Sequence, residues 1–222
     1  MQIKPKKSLG QNFLIDNNIL EKIVNCVKIE KNTTILEIGP GTGNLTEYLI
    51  KKNPKKILVI EKDKYLVELL KKKFDNKINI FGEDFLNFSN SDLINENLMI
   101  FGNLPYNISS QILVKLIINK ENLKYQQIIF MFQKELADRI LCKQDSKNYG
   151  RLSILSHWKL NIKKICDIKP ESFYPQPKIH SSLLFFSPKE KFFKIKDPKN
   201  LEKVTRIFFN QRRKMLKKPF NQ

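Results

Sequence analysis

The chain has no apolar run that reaches the roughly 18–20 residues a helix needs to cross a bilayer. The start, Met1–Lys7, is basic, but no apolar segment follows it, so a secretory signal is not expected. A motif that begins by residue 9 also argues against a mitochondrial leader. Cysteine is scarce: Cys26, Cys142 and Cys166 lie far apart, with no Cys-x-x-Cys pair. With only His157 and His180 beside them, no zinc-site template exists and no metal is expected. Isolated cysteines of this kind are expected as small core residues in a reducing compartment. Arginine is nearly absent, 5 residues against 36 lysines.

The 222 residues suffice for one full domain and a small second one. A hydrophobic fraction of 41% is ordinary for a globular protein and argues against disorder. The net charge of +19 points to a polyanionic partner. Part of it has a blander source, because lysine, asparagine and isoleucine all accumulate under AT-rich coding. Arginine, the better bidentate reader of nucleic acid, does not share the excess. Charge therefore raises the case for nucleic acid and leaves the decision to the motifs.

Residues 18–28 read as a helix, with Ile19, Leu20, Ile23, Val24 and Val27 on one face and Asn18 with Glu21 as a capping box. Strands and helices then alternate. Strands are expected at Thr33–Ile38, Ile57–Ile60, Ile78–Phe81, Leu98–Phe101 and Gln127–Phe132. Helices are expected at Leu45–Lys52, Val67–Lys73, 109–119 and 134–142. This rhythm predicts an α/β fold: a parallel sheet covered on both faces. Ligands on such sheets bind at the carboxyl ends of the strands. After Gly150 the rhythm changes to a helix at Leu152–Leu160, strands at Ile162–Ile168 and Ile179–Phe186, and a basic helix at 200–218.

Four motifs fall at strand ends. Glu37-Ile-Gly-Pro-Gly-Thr-Gly43 follows the first strand, and Gly39, Gly41 and Gly43 let the backbone turn tightly against a ligand. Its third glycine comes one position earlier than in the dinucleotide fingerprint, which fits an adenosine cofactor without a pyrophosphate better than a nicotinamide. Glu61 ends the second strand, 22 positions after Gly39, where a carboxylate can accept both ribose hydroxyls; Asp63 competes with it. Asp84, with Glu83 as competitor, ends the third strand and can accept from a cofactor's adenine amine.

The fourth motif, Asn103-Leu-Pro-Tyr106, decides the class. The amine of adenine delocalises its lone pair into the ring and is a poor nucleophile. Acceptors on its two N–H groups pull the nitrogen towards a tetrahedral geometry and free that pair. The Asn103 side-chain oxygen and the Leu104 carbonyl are such acceptors. Pro105 restricts its own φ and the residue before it, which fixes that carbonyl. Tyr106 offers a ring for an extruded base. A fifth segment, Ser172–Ile179, places Phe173 or Tyr174 to close the base's other face, unless its prolines serve only as a structural loop.

These residues, in this order, resemble the ribosomal RNA adenine dimethyltransferase family. The resemblance covers Lys7–Leu14, Glu37–Gly43, Phe101–Ile108, Phe132–Glu135, Tyr149–Ser153, Phe173–Ser181 and Phe209–Lys214. It implies a Rossmann-like S-adenosylmethionine-dependent methyltransferase domain, 1–187, followed by a small helical RNA-binding domain, 188–222. It implies dimethylation of two adjacent adenosines near the 3′ end of small-subunit ribosomal RNA during ribosome assembly. The implied setting is a cytoplasmic monomer acting on an immature small subunit. It implies that Gln11–Leu14 folds over the cofactor, with Asn12 and Leu14 in contact, that Asn103 also touches the cofactor, and that Phe173 stacks on the target base. The family's chain continues some tens of residues past the Asn210–Lys214 element, so the helical domain is expected to be incomplete, with catalysis intact and RNA recognition weakened. A macrolide-resistance type methyltransferase of large-subunit RNA shares the core motifs, though Tyr149–Ser153 and Phe173–Ser181 favour the small-subunit enzyme. A non-catalytic assembly or nucleic-acid-binding factor would carry a damaged Gly39–Gly43 or Asn103–Tyr106 motif, and both are intact. An NAD oxidoreductase is disfavoured by the glycine spacing.

Overall fold

A computed structural model describes residues 5–6, 9–89, 97–118, 123–144 and 146–210, with only the backbone of Asn210. The elements run β1 (Phe13–Leu14), α1 (Asn17–Asn25), β2 (Thr34–Ile38), α2 (Asn44–Lys51), β3 (Lys56–Ile60), α3 (Lys64–Phe74) and β4 (Asn79–Phe81). They continue with β5 (Leu98–Gly102), α4 (Ser109–Ile118), β6 (Tyr125–Gln133), α5 (Lys134–Leu141), α6 (Arg151–Lys159) and β7 (Leu160–Ile168). The last are β8 (Phe173–Tyr174), β9 (Ser181–Pro188) and α7 (Pro198–Asn210).

Seven strands form one sheet in the order β4-β3-β2-β5-β6-β9-β7. The first five are parallel, and β9 inserts antiparallel between β6 and β7. β2 and β5 are buried along their whole length, as parallel strands covered on both faces must be. Alternate side chains enter two separate cores. Leu36, Ile38, Leu58, Ile60 and Ile100 pack with Ile112, Leu113, Ala137, Ile140 and Leu155 of α4, α5 and α6. Ile35, Ile57, Val59, Met99 and Phe101 pack with Leu20, Ile23, Leu45, Leu49, Leu70 and Phe74 of α1, α2 and α3. The edge strand β7 shows water the exposed Lys163 and Lys164, which discourage pairing with another chain.

The structure departs from expectation at several points. α1 begins one residue early, and its cap is Asp16, whose carboxylate accepts from the amides of Asn18 (3.0 Å) and Ile19 (3.3 Å) in place of the Asn18–Glu21 box. The three cysteines are half-buried thiols, Cys26 and Cys166 at the periphery of one core. A separate ribbon pairs Phe13 with Tyr174 and Leu14 with Phe173, and strands of two residues carry no periodicity to announce it. The basic helix starts at Pro198, and Arg151 ties it to α6 through Glu202 (2.6 Å). The basic run Gln211–Lys218 lies outside the described residues.

Gly43 precedes α2 with φ +78°, and a Cβ there would sit 2.9 Å from Leu70 Cδ2 and 2.8 Å from Phe74 Cζ. Gly43→Ala adds left-handed strain to overpacking against α3. It should cost roughly 2–4 kcal/mol, read as a lower denaturant midpoint at unchanged slope. A shift below about 0.5 kcal/mol would show that α3 yields freely.

Candidate active site

The chain runs β2-β3-β4 outward to one side of β2 and returns to β5 on the other side. Such a reversal opens a crevice at the carboxyl ends of the central strands. A cavity of about 210 Å³ lies there, lined by the ends of β2, β3 and β5, by Glu83–Phe85 after β4, and by Leu9–Leu14 from the N-terminus. Asn12, Leu14, Gly39, Gly41, Glu61, Asp84, Asn103, Leu104, Pro105 and Tyr106 all lie on its wall. Two expected residues do not. Gly43 is turned against α3, and its part is to let α2 and α3 close together. Phe173 is 3% exposed and packs with Leu14 in the core beneath β1. The exposed aromatic of that segment is its neighbour Tyr174, because successive strand residues face opposite ways.

Glu61 is buried, and its carboxylate accepts from the Gly41 amide (3.1 Å) and the Asp63 amide (2.9 Å). These bonds fix the glycine loop against the end of β3 and leave lone pairs for a ligand. Burial pushes the Glu61 carboxyl up, against those amide bonds, which pull it down. Asp84 is held by Lys62 (2.7 Å) and by the Leu86 amide (3.0 Å), and Lys62 draws its carboxyl below the ordinary range. Asp63, the competitor of Glu61, does something else. Its carboxylate caps α3 through the Tyr65 amide and accepts from Lys6 Nζ (2.7 Å) and Gln11 Nε2 (3.1 Å). Burial raises its carboxyl, but the bonds from Lys6, Gln11 and Tyr65 outweigh that and leave it below the ordinary value. Asp63 thus latches the N-terminal strap over the cavity. Asn44 Nδ2 pins the other end of the strap at the Leu14 carbonyl (2.8 Å).

The strap also reaches Asn103, whose Nδ2 donates to the Asn12 carbonyl (3.0 Å). With its amino end engaged, the amide is oriented and its oxygen is left as the free acceptor. The Tyr106 hydroxyl meets Ser181 Oγ at 2.7 Å, which fixes the phenol from β9. Neither pairing, Tyr106 with Ser181 nor Asn103 with the Asn12 carbonyl, carried a sequence signal, since the partners lie 75 and 91 positions apart. The Asp63 cap was legible as an acid just ahead of an apolar helical face.

Four carboxylates line the cavity (Glu37, Glu61, Glu83 and Asp84), against a single lysine, Lys62. Leu14, Ile38, Leu66, Phe85 and Ile112 supply apolar wall. Such a wall suits a cationic ligand with a flat apolar ring and a sugar, and it repels a pyrophosphate. Among the described residues no group of His, Cys, Asp and Glu is placed to hold a metal ion.

The model of the family described as ribosomal RNA adenine dimethylase matches residues 2–222. A relative from Pelagibacter ubique (strain HTCC1062), named ribosomal RNA small subunit methyltransferase A, is 63% identical over 100% of this chain and 85% of its own length. A relative of the same name from a Wolbachia of Drosophila simulans is 43% identical over 97% of this chain and 79% of its own. Among solved structures, a dimethyladenosine transferase from Plasmodium falciparum matches with a TM-score of 0.79 at 31% identity, over 94% of this chain and 74% of that one. The 23S rRNA methyltransferase ErmE, with a TM-score of 0.70 at 21% identity over 90% of this chain and 79% of that one, shares the fold.

Glu37 titrates abnormally. Burial lifts its carboxyl from 4.5 to about 7, partly offset by the Thr46 hydroxyl bond (2.6 Å) and reinforced by Glu61. The folded state therefore keeps a proton that the unfolded chain releases. This contribution is full below about pH 4.5 and is lost as pH rises towards 7, up to about 3 kcal/mol. In urea titrations at several pH values, Glu37→Gln should gain on the wild type across that window. A constant difference between the two would show that Glu37 titrates as an ordinary carboxylate.

Proposed function

The chain belongs to the ribosomal RNA adenine dimethylase family, and from that premise we propose that it transfers methyl groups from S-adenosylmethionine to the N6 amines of two adjacent adenosines near the 3′ end of small-subunit ribosomal RNA. The observation that carries this reading is the oriented Asn103–Tyr106 turn facing an acidic, apolar-walled cavity. When bound, the cofactor supplies an electrophilic methyl group on a cationic sulfonium. Glu61 is placed to accept the ribose hydroxyls and Asp84 the adenine amine of the cofactor, while Gly39 and Gly41 let the backbone come close. Asn12 and Leu14 cover the site and exclude water.

On the substrate side, Asn103 Oδ1 and the Leu104 carbonyl hold the two N–H groups of the target amine. That grip costs the nitrogen its conjugation with the ring and aims its lone pair. Pro105 keeps the Leu104 carbonyl in place. The acceleration is positional and electrostatic. The amine becomes acidic only as the new N–C bond forms, so no strongly basic side chain is required. Tyr106, held by Ser181, offers one face to the base. Phe173 reaches the other face only if its ring leaves its present packing. The acidic wall argues against an NAD oxidoreductase, and the intact motifs argue against a non-catalytic factor.

The domain division proposed is a catalytic unit, 1–187, and a helical RNA-binding unit, 188–222. It is supported by β9 ending at Pro188 and α7 lying beyond it. No described helix is long and apolar enough to cross a membrane. The partner proposed is the immature small subunit, met by a monomer in the cytoplasm.

Incubation with unmethylated small subunits and labelled cofactor should place dimethyladenosine at two adjacent positions near the 3′ end. Label confined to other nucleotides, or none, would overturn the assignment. Asn103→Ala should abolish transfer while weakening cofactor binding far less, through the lost bond to the Asn12 carbonyl, and retained turnover would remove the role given to that oxygen. Glu61→Gln should weaken cofactor binding roughly 10- to 100-fold, and an unchanged titration would move the ribose contact elsewhere.

A further inference from the structure

Among the described residues, Ile15 (51% exposed) and Tyr174 (55%) stay open to water at the β1–β8 ribbon, and Ile179 (41%) is exposed in the segment that follows it. The backbone beneath them is firmly held. The Ile15 amide donates to the Ser172 carbonyl (2.9 Å), and the Ser172 hydroxyl donates to Asp16 (2.9 Å). Tyr174 lies directly opposite Phe13 in the ladder, so the two rings share one face of the ribbon. Phe13 is on the cavity wall, where a Cβ on Gly41 would stand 2.9 Å from its ring. Tyr174 is the solvent-facing ring beside it. Lys169 and Lys178 flank the segment as exposed cations, with Glu171 the one acid between 169 and 180.

A base drawn out of a strand leaves its neighbour with a bare face, at a cost of a few kcal/mol. An aromatic side chain that covers that face returns about 1–3 kcal/mol. A ring on a paired backbone loses little entropy in doing so, and flanking lysines suit the phosphates. We infer that Tyr174 is a stacking platform for the nucleotide next to the target adenosine, with Ile15 as its apolar margin. This rests on the reading that the cavity receives an adenine of RNA.

Tyr174→Ala, Tyr174→Phe and Tyr174→Trp test it with two measurements: methyl transfer to unmethylated small subunits, and binding of a fluorescein-labelled short oligoadenylate. The alanine variant should raise both KM for the subunits and Kd for the oligoadenylate roughly 5- to 100-fold. Its kcat and cofactor affinity should not change, and the phenylalanine and tryptophan variants should behave like the wild type. Unchanged constants overturn the inference, as does a loss that the two ring-bearing variants fail to restore. Oligoadenylate binding needs no methyl transfer. A wild-type protein that leaves small subunits unmodified, yet whose hold on oligoadenylate depends on the Tyr174 ring, would refute the reaction and leave the platform standing.

Discussion

The reversal of strand order between β2 and β5 is the constraint on which the rest of the site depends. Two parallel strands whose connections leave in opposite directions cannot both cover the gap at their carboxyl ends. The glycine loop after β2 and the Asn103–Tyr106 turn after β5 therefore face each other across one crevice, and Glu61 and Asp84 arrive from β3 and β4. Residues distant in the chain meet on one wall because the sheet leaves them this place.

The N-terminal strap closes the crevice and links its two halves. Asp63 holds Lys6 and Gln11 at one end, Asn44 holds the Leu14 carbonyl at the other, and the Asn12 carbonyl between them orients Asn103. The segment that closes one side of the crevice thus also orients the Asn103 amide on the other. A loosened strap would be felt on both sides of the crevice, and Asp63 holds that strap from a distance.

Charge is divided by location. The chain as a whole carries +19, which favours a polyanion. The cavity wall carries four carboxylates against one lysine, which favours a cation. One protein can therefore attract RNA at its surface and a sulfonium at its centre without the two competing. Burial tempers the pattern: it raises the Glu37 and Glu61 carboxyls, which eases the repulsion among the acids and gives up part of that negative charge.

The sequence by itself determined the α/β alternation, the strand ends and the residues whose chemistry suits adenine. Period, glycine spacing and the Asn-Leu-Pro-Tyr tetrapeptide are local properties that need no partner to be recognised. It also held the broad charge. What only the tertiary structure decided are the relations that span the chain: β9 between β6 and β7, the β1–β8 ribbon, Ser181 against Tyr106, and the Asn12 carbonyl against Asn103. Gly43 and Phe173 show the same divide, since their motifs marked them for the site while packing took one against α3 and the other into the core. Their places are set by what lies opposite in space, which linear spacing does not encode.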